Sequence, residues 1–221
     1  MRKRRNGFGT AGSHGLGVSG GPGKSVPRPM TVADESEVIE IHRKSFRAAS
    51  GIGFLKKAYY PTILDPSSTG FCFVEIHSGK VAGFLAGALD SRAWHKALVR
   101  RHVVGCLIAA VRVAFSGWSD LAQVLRPLRY FLSGSARREG CWIYFVAVDE
   151  RYRNWGIAER LVRASVDHGR SRGLARCWVR TLKANDPMKR VLEKSGFRIH
   201  AVMSGQDDNR FIYFLDFRSS P

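Results

Sequence analysis

The stretch Trp142-Ile143-Tyr144-Phe145-Val146-Ala147-Val148, continuing into Asp149-Glu150-Arg151-Tyr152-Arg153-Asn154-Trp155-Gly156-Ile157-Ala158, decides how this chain is read. Its first seven residues are rich in β-branched and aromatic types, as expected of a buried strand. Asp149 to Asn154 form a polar turn, and Ile157, Leu161, Val162 and Val166 then recur at helical spacing. Gly156 and Ala158 therefore fall at a helix start. Such a start carries unpaired amides and partial positive charge, and small residues there let a phosphate approach those amides. Arg153 adds a full positive charge. On the turn alone, close packing of helix on sheet explains the small residues equally well.

The segments after the helix favour the phosphate reading: a glycine stop at Gly173, a strand from Ala175 to Thr181, Asn185, a short helix, and Gly196-Phe197. This order, with Val146-Ala147-Val148 on the strand, Arg153-x-x-Gly156-x-Ala158 on the turn and Glu193-Lys194-Ser195-Gly196-Phe197, resembles the GNAT superfamily of acetyl-CoA-dependent N-acetyltransferases. The match is close over roughly the last third of the chain and looser over Thr31 to Leu89. The resemblance implies an α/β fold (an α+β mixed sheet), that of a GNAT-like acyl-CoA N-acyltransferase, with acetyl-CoA as donor and no metal. It further implies that Val146, Ala147 and Val148 face the pantetheine across a bulged, splayed strand. By the same resemblance, Arg153, Asn154, Gly156, Ile157, Ala158 and Glu159 surround the pyrophosphate, and Asn185 touches the cofactor. Asn185 is also well placed to cap the helix that opens at Asp186-Pro187.

Composition sets limits around this reading. A chain of 221 residues with 44% hydrophobic content suits one core with appended segments. Cys72, Cys106, Cys141 and Cys177 lie far apart without metal-ligand spacing, as reduced cytosolic thiols do. The net charge of +18 is uneven: +6 in residues 1–30 and +7 in 91–140, against −1 across 31–90. Such a surface favours an anionic partner. Residues 1–28, opening with Arg2-Lys3-Arg4-Arg5, read as a disordered Gly-rich tail, and 29–221 as one N-acetyltransferase domain. The tail has no apolar core of a secretory signal, so a cytoplasmic location is expected.

Within the domain, Met30-Thr31-Val32 reads as a first strand, Asp34 as a helix cap before a helical pattern through Val38, Ile39, Ile41 and His42, and Phe54 to Tyr60 as a second short helix. Phe71 to Ile76 and Val81 to Leu89 form a hairpin across His77-Ser78-Gly79-Lys80. Residues 91–140 are a helical insertion between the third and fourth strands, with apolar positions such as Trp94, Leu98, Val104 and Ile108 among basic ones. Its apolar run is too short to span a bilayer. Packing, cover over the acceptor site and peripheral membrane contact are its alternative roles. Near the C-terminus, Phe211 to Phe217 reads as an edge strand that either pairs with another subunit or completes this sheet.

Transfer of acetyl from a thioester to an amine needs a neutral amine, a polarised carbonyl and a stabilised thiolate. Relatives commonly supply a Tyr four residues before the Gly of Gly-Phe, where this chain has Leu192. Protein-acetylating subgroups keep a Glu at the positions of Arg180 or Trp142. These departures point away from a protein amine and toward a small amine acceptor, anionic in character, such as an amino sugar or nucleotide-linked amino sugar. Proteins of the superfamily associated with bacterial surface polysaccharide synthesis are similar in the opening region, though no motif carries that likeness. Tyr144 is the candidate acid or orienting group, with Glu75, His95 and His200 as unranked bases. Nucleic acid is not an expected partner of the enzyme. A protein or peptide N-acetyltransferase is one rival reading, and a non-catalytic acyl-CoA-binding module contacting nucleic acid or membrane is the other.

Overall fold

The computed structural model describes residues 25–46, 52–100, 139–203 and 209–218. Apolar runs in these segments form one seven-stranded sheet: β1 (Arg28–Pro29), β2 (Gly70–His77), β3 (Lys80–Ala88), β4 (Cys141–Val148), β5 (Arg176–Leu182), β6 (Arg198–Met203) and β7 (Arg210–Asp216). The spatial order is β1-β2-β3-β4-β5-β7-β6, and only β4 and β5 run parallel. β2 and β3 are joined at Ser78 (φ 49°) and Gly79 (φ 75°), with His77 paired to Lys80. Two left-handed residues make a turn whose twist matches that of the strands it joins.

Each helix grows from an apolar stripe and a local start signal. α1 (Glu35–Ser45) buries Val38, Ile39, Ile41 and His42. Just before it, the Asp34 carboxylate accepts from the Thr31 N–H and hydroxyl, each at 2.8 Å, and from the Arg28 guanidinium. Those contacts hold Asp34 down at about 2, the Arg28 bond contributing most. α2 begins at Ile52–Phe54, widens into a π-helical turn at Leu55–Tyr59 and closes at Tyr60–Leu64, one turn beyond the predicted end. α3 covers residues 91–100, where Asp90 caps the amides of Arg92 and Ala93 at 2.8 and 3.0 Å. α4 (Ile157–Ser171) buries Ile157, Leu161, Val162 and Val166, and α5 (Asp186–Lys194) buries Leu192. Each such aliphatic side chain contributes roughly 2 kcal/mol by leaving water.

α1, α2 and α3 cover one face of the sheet, over Val74, Phe84, Ala86 and Ala147; α4 and α5 cover the other, over Leu85, Ile143, Val179 and Leu215. Of the two alternatives for Phe211 to Phe217, the strand completes this sheet, and it does so from an interior position and not at the edge. β7 pairs with β5 on one side and β6 on the other, and β6 takes the edge. The residues explain the exchange, since β6 carries Arg198 and His200 outward while β7 buries Ile212, Tyr213 and Leu215. The helical insertion is described only in its first turns, and 101–138 lie outside the described residues, as do 1–24 of the tail.

Candidate active site

β4 and β5 pair at only three positions, Cys141↔Cys177, Trp142↔Trp178 and Ile143↔Val179. Beyond Ile143 the ladder stops although both strands continue, so the β5-facing side of Tyr144 to Val148 opens into a cleft. A bulge begins at the same point. On β3, Ala86 pairs with Phe145 and Gly87 with Ile143, which makes Tyr144 the extra residue. Tyr144 and Phe145 consequently both pack toward the α1–α3 face, while Ile143 and Val146 pack on the α4 side.

The chain then turns at the mouth of this cleft. The Asp149 N–H donates to the Ala82 carbonyl at 2.9 Å, and the Asp149 carboxylate accepts from the Arg151 amide and side chain. Asn154 (φ 66°) and Gly156 (φ 72°) are both left-handed, and α4 starts at Ile157. The first intrahelical bond runs from the Arg160 N–H to the Gly156 carbonyl at 3.1 Å. The amides of Ile157, Ala158 and Glu159 therefore have no acceptor within the helix, and Gly156 has no side chain to cap them. Ile157 is buried, Ala158 and Glu159 are half-buried, and Arg153, Asn154 and Gly156 are exposed. Arg153 lies 3.4 Å from Glu150, and Glu159 bonds Arg163 at 3.1 Å. The arrangement is a cluster of aimed amides with little side-chain bulk over it, the property an anion needs.

Nine of the ten cofactor positions read from sequence, Val146 to Val148 and Arg153 to Glu159 without Trp155, lie along the end of β4 that β5 does not pair, the turn after it and the first turn of α4. Asn185 stands apart, after β5. Its side-chain oxygen accepts from the Met188 N–H at 3.2 Å, so it is a helix cap.

Tyr144 is half-buried at the bulge and donates its hydroxyl proton to Ser91 Oγ at 2.8 Å. Ser91 Oγ is 3.2 Å from His95 Nδ1, which also lies 2.6 Å from the Ser91 carbonyl. A carbonyl only accepts, so Nδ1 carries the proton and the neutral ring keeps its lone pair on Nε2. Burial pushes the His95 pKa down, favouring this neutral form. Ser91 escapes a reading of the sequence because its link to Tyr144 spans 53 residues.

Of the other acid–base candidates, Glu75 is fully buried and bound to Arg160, so it is not a free base. His200 is exposed on β6 beside Trp178. Leu192 is buried between α5 and the sheet, and Trp142 stacks on Trp178 at 5.9 Å. Arg180 is the next residue on β5 past the last rung shared with β4. Among the described residues no three His, Cys, Asp or Glu side chains converge as a metal site, and no helix is long and apolar enough to cross a membrane.

This geometry has counterparts among known proteins. The acetyltransferase (GNAT) family profile matches residues 36–197. No curated protein matches the chain in sequence. Solved structures do align: Ard1 from Thermoplasma volcanium at 18% identity and TM-score 0.55, over 87% of this chain and 97% of that one. NAA60 of Arabidopsis thaliana, solved with acetyl-CoA, aligns at 16% identity and TM-score 0.54, over 87% and 98%. The ribosomal-protein-S18-alanine N-acetyltransferase of Escherichia coli aligns at 12% identity and TM-score 0.54, over 87% and 93%. At these identities the likeness is one of fold.

Proposed function

The chain belongs to the acetyltransferase (GNAT) family, an acyltransferase that uses acetyl-CoA, and from that premise we propose that it acetylates a small anionic amine, an amino sugar or nucleotide-linked amino sugar, in a ternary complex. The observation that carries the site assignment is the parting of β4 from β5 directly below the open amides of α4. Pantetheine enters the cleft along Val146, Ala147 and Val148. The diphosphate rests on the amides from Gly156 to Glu159, with Arg153 and Asn154 at its rim, and Asn185 lines the far side through its backbone turn. The fit is supported by Gly156, whose missing side chain leaves the nearest amides uncovered and whose left-handed φ disfavours any other residue.

In the transfer, the amine nitrogen attacks the thioester carbon, the C–S bond breaks, and the proton lost by the nitrogen is balanced by one gained by sulfur. Tyr144 is the group proposed to supply that proton, turning its hydroxyl from Ser91 to the sulfur, while the amine's proton passes to solvent water, which reprotonates the tyrosinate. An anionic acceptor is supported by Arg180, which stands where protein-acetylating relatives keep a carboxylate, and by the basic surface. A peptide amine is the competing acceptor.

Calorimetric titration with acetyl-CoA and 3′-dephospho-CoA, then thiol release against amino sugars, nucleotide amino sugars and peptides, tests this. Gly156→Glu puts a carboxylate among the open amides and is expected to weaken acetyl-CoA binding at least about a hundredfold. Unchanged affinity would remove the turn from the site. Thiol release with peptides alone would replace the acceptor.

A further inference from the structure

Glu75 lies on β2, 85 residues from Arg160, and its side chain is completely buried. A carboxylate in such a place is costly unless well paired. Its oxygens accept from Arg160 Nε at 3.1 Å, from Arg160 Nη2 at 2.5 Å and from the Ser25 hydroxyl at 2.7 Å. The remaining guanidinium nitrogen, Nη1, donates to the Trp155 carbonyl at 2.8 Å. One rigid fork therefore ties the sheet to the peptide that leads into Gly156, the N-cap of α4.

That peptide joins Trp155 to Gly156 and is trans. Its N–H is anti to its carbonyl, so fixing the carbonyl against Arg160 aims the Gly156 N–H the opposite way. The neighbouring backbone gives little help, since Asn154 and Gly156 both sit in the left-handed region, which costs a non-glycine residue of order 1 kcal/mol. Resting on the proposal that this turn receives the diphosphate, we infer that Arg160, clamped by Glu75, is a positioning residue that aims the Gly156 amide at the diphosphate of the donor. Arg160 acts through the peptide plane, with no contact to the ligand required.

The geometry makes a distinctive prediction, because a lysine at 160 keeps the charge but cannot hold a carboxylate and a carbonyl with one planar fork. Arg160→Lys is expected to raise the Kd for CoA about tenfold while leaving the affinity for S-acetylpantetheine, which has no diphosphate, unchanged. Glu75→Gln frees the fork and is expected to act in the same direction; it carries the test if the lysine variant does not fold. Both are measured by equilibrium titration beside the wild-type chain, with urea unfolding run in parallel. Equal weakening of both ligands would mean a merely structural role and would overturn the inference, as would a lysine variant that binds CoA like wild type. Failure of the wild-type chain itself to bind CoA is a separate result that overturns the donor-site reading.

Discussion

Gly87→Ala is the substitution that most directly tests how the site is built. Gly87 sits on β3 opposite the bulge, and a β-carbon there would lie 2.3 Å from the Trp142 carbonyl oxygen and 2.6 Å from Phe71 Cζ. A carbon–oxygen approach of roughly 3.3 Å is the closest that recurs in sheets, so one added methyl must push the β4 backbone away by about 1 Å. Overpacking of this kind costs about 1–3 kcal/mol, and a backbone neighbour on one side with a buried ring on the other puts this case near the upper end. The displaced atoms belong to the peptide between Trp142 and Ile143, just before Tyr144 and the cleft. A misplacement of about 1 Å at reacting groups lowers turnover by up to about a hundredfold.

Urea unfolding monitored by tryptophan fluorescence, with thiol release at saturating acetyl-CoA, reads both effects. Gly83→Ala is the comparison for the stability reading alone, since it presses on residues of the proposed donor site. Its β-carbon would lie 2.9 Å from the Ala147 carbonyl oxygen and 3.0 Å from Ile157 Cγ2, so its cost is smaller. A Gly87→Ala protein within about 0.5 kcal/mol of wild type and with unaltered turnover would refute the view that close approach of β3 sets the bulge.

Acid stability gives a second test. His42 is buried among aromatic rings with Nδ1 2.8 Å from the Tyr60 hydroxyl, and burial pushes its pKa from 6.5 down to about 4. The unfolded chain takes up this proton first, so stability present above pH 6.5 is lost as pH falls toward 4, by at most roughly 3 kcal/mol. His42→Gln should flatten the urea midpoint across that window, leaving the smaller slope from His95 and His168, both lowered by burial; an unchanged profile would exonerate His42. Tyr144→Phe removes the hydroxyl bonded to Ser91 and is expected to lower kcat about a hundredfold with acetyl-CoA affinity intact. Wild-type turnover in that variant would end its assignment as the acid.

The parts legible in the sequence are those written in short-range pattern. The apolar run of β4, the small residues of the turn and the 3.6-residue spacing of α4 lie within thirty residues of one another, and Ser78-Gly79 marks its hairpin by turn chemistry alone. The first strand, expected at Met30-Thr31-Val32, lies instead at Arg28–Pro29, because two residues carry no periodicity and pairing with Val74 and Phe73 fixes them, while Val32–Asp34 forms a 3-10 turn. The order of the last two strands is not legible because β7 is an unbroken apolar run from Phe211 to Leu215 while β6 is broken by Arg198 and His200, and neither pattern names the strand that lies beside it. Only the neighbour that each finds across space separates an interior strand from an edge. The same limit hides the working contacts of the site. Glu75 looks like a spare base until its carboxylate meets Arg160 from another element, and Tyr144 looks isolated until the bulge turns it toward Ser91.

The three rungs between β4 and β5 also have a mechanical consequence. They are the seam by which the leaf β1–β4 is joined to the leaf β5-β7-β6, and every other strand boundary from β2 outward is laced by five or more rungs. The proposed donor site thus lies on the most weakly laced boundary between β2 and β6. A ligand whose amide-bearing arm spans that line stitches the leaves together as a surrogate strand. Donor binding should accordingly slow hydrogen exchange on both flanks of the seam at once, making the two leaves open as a single unit.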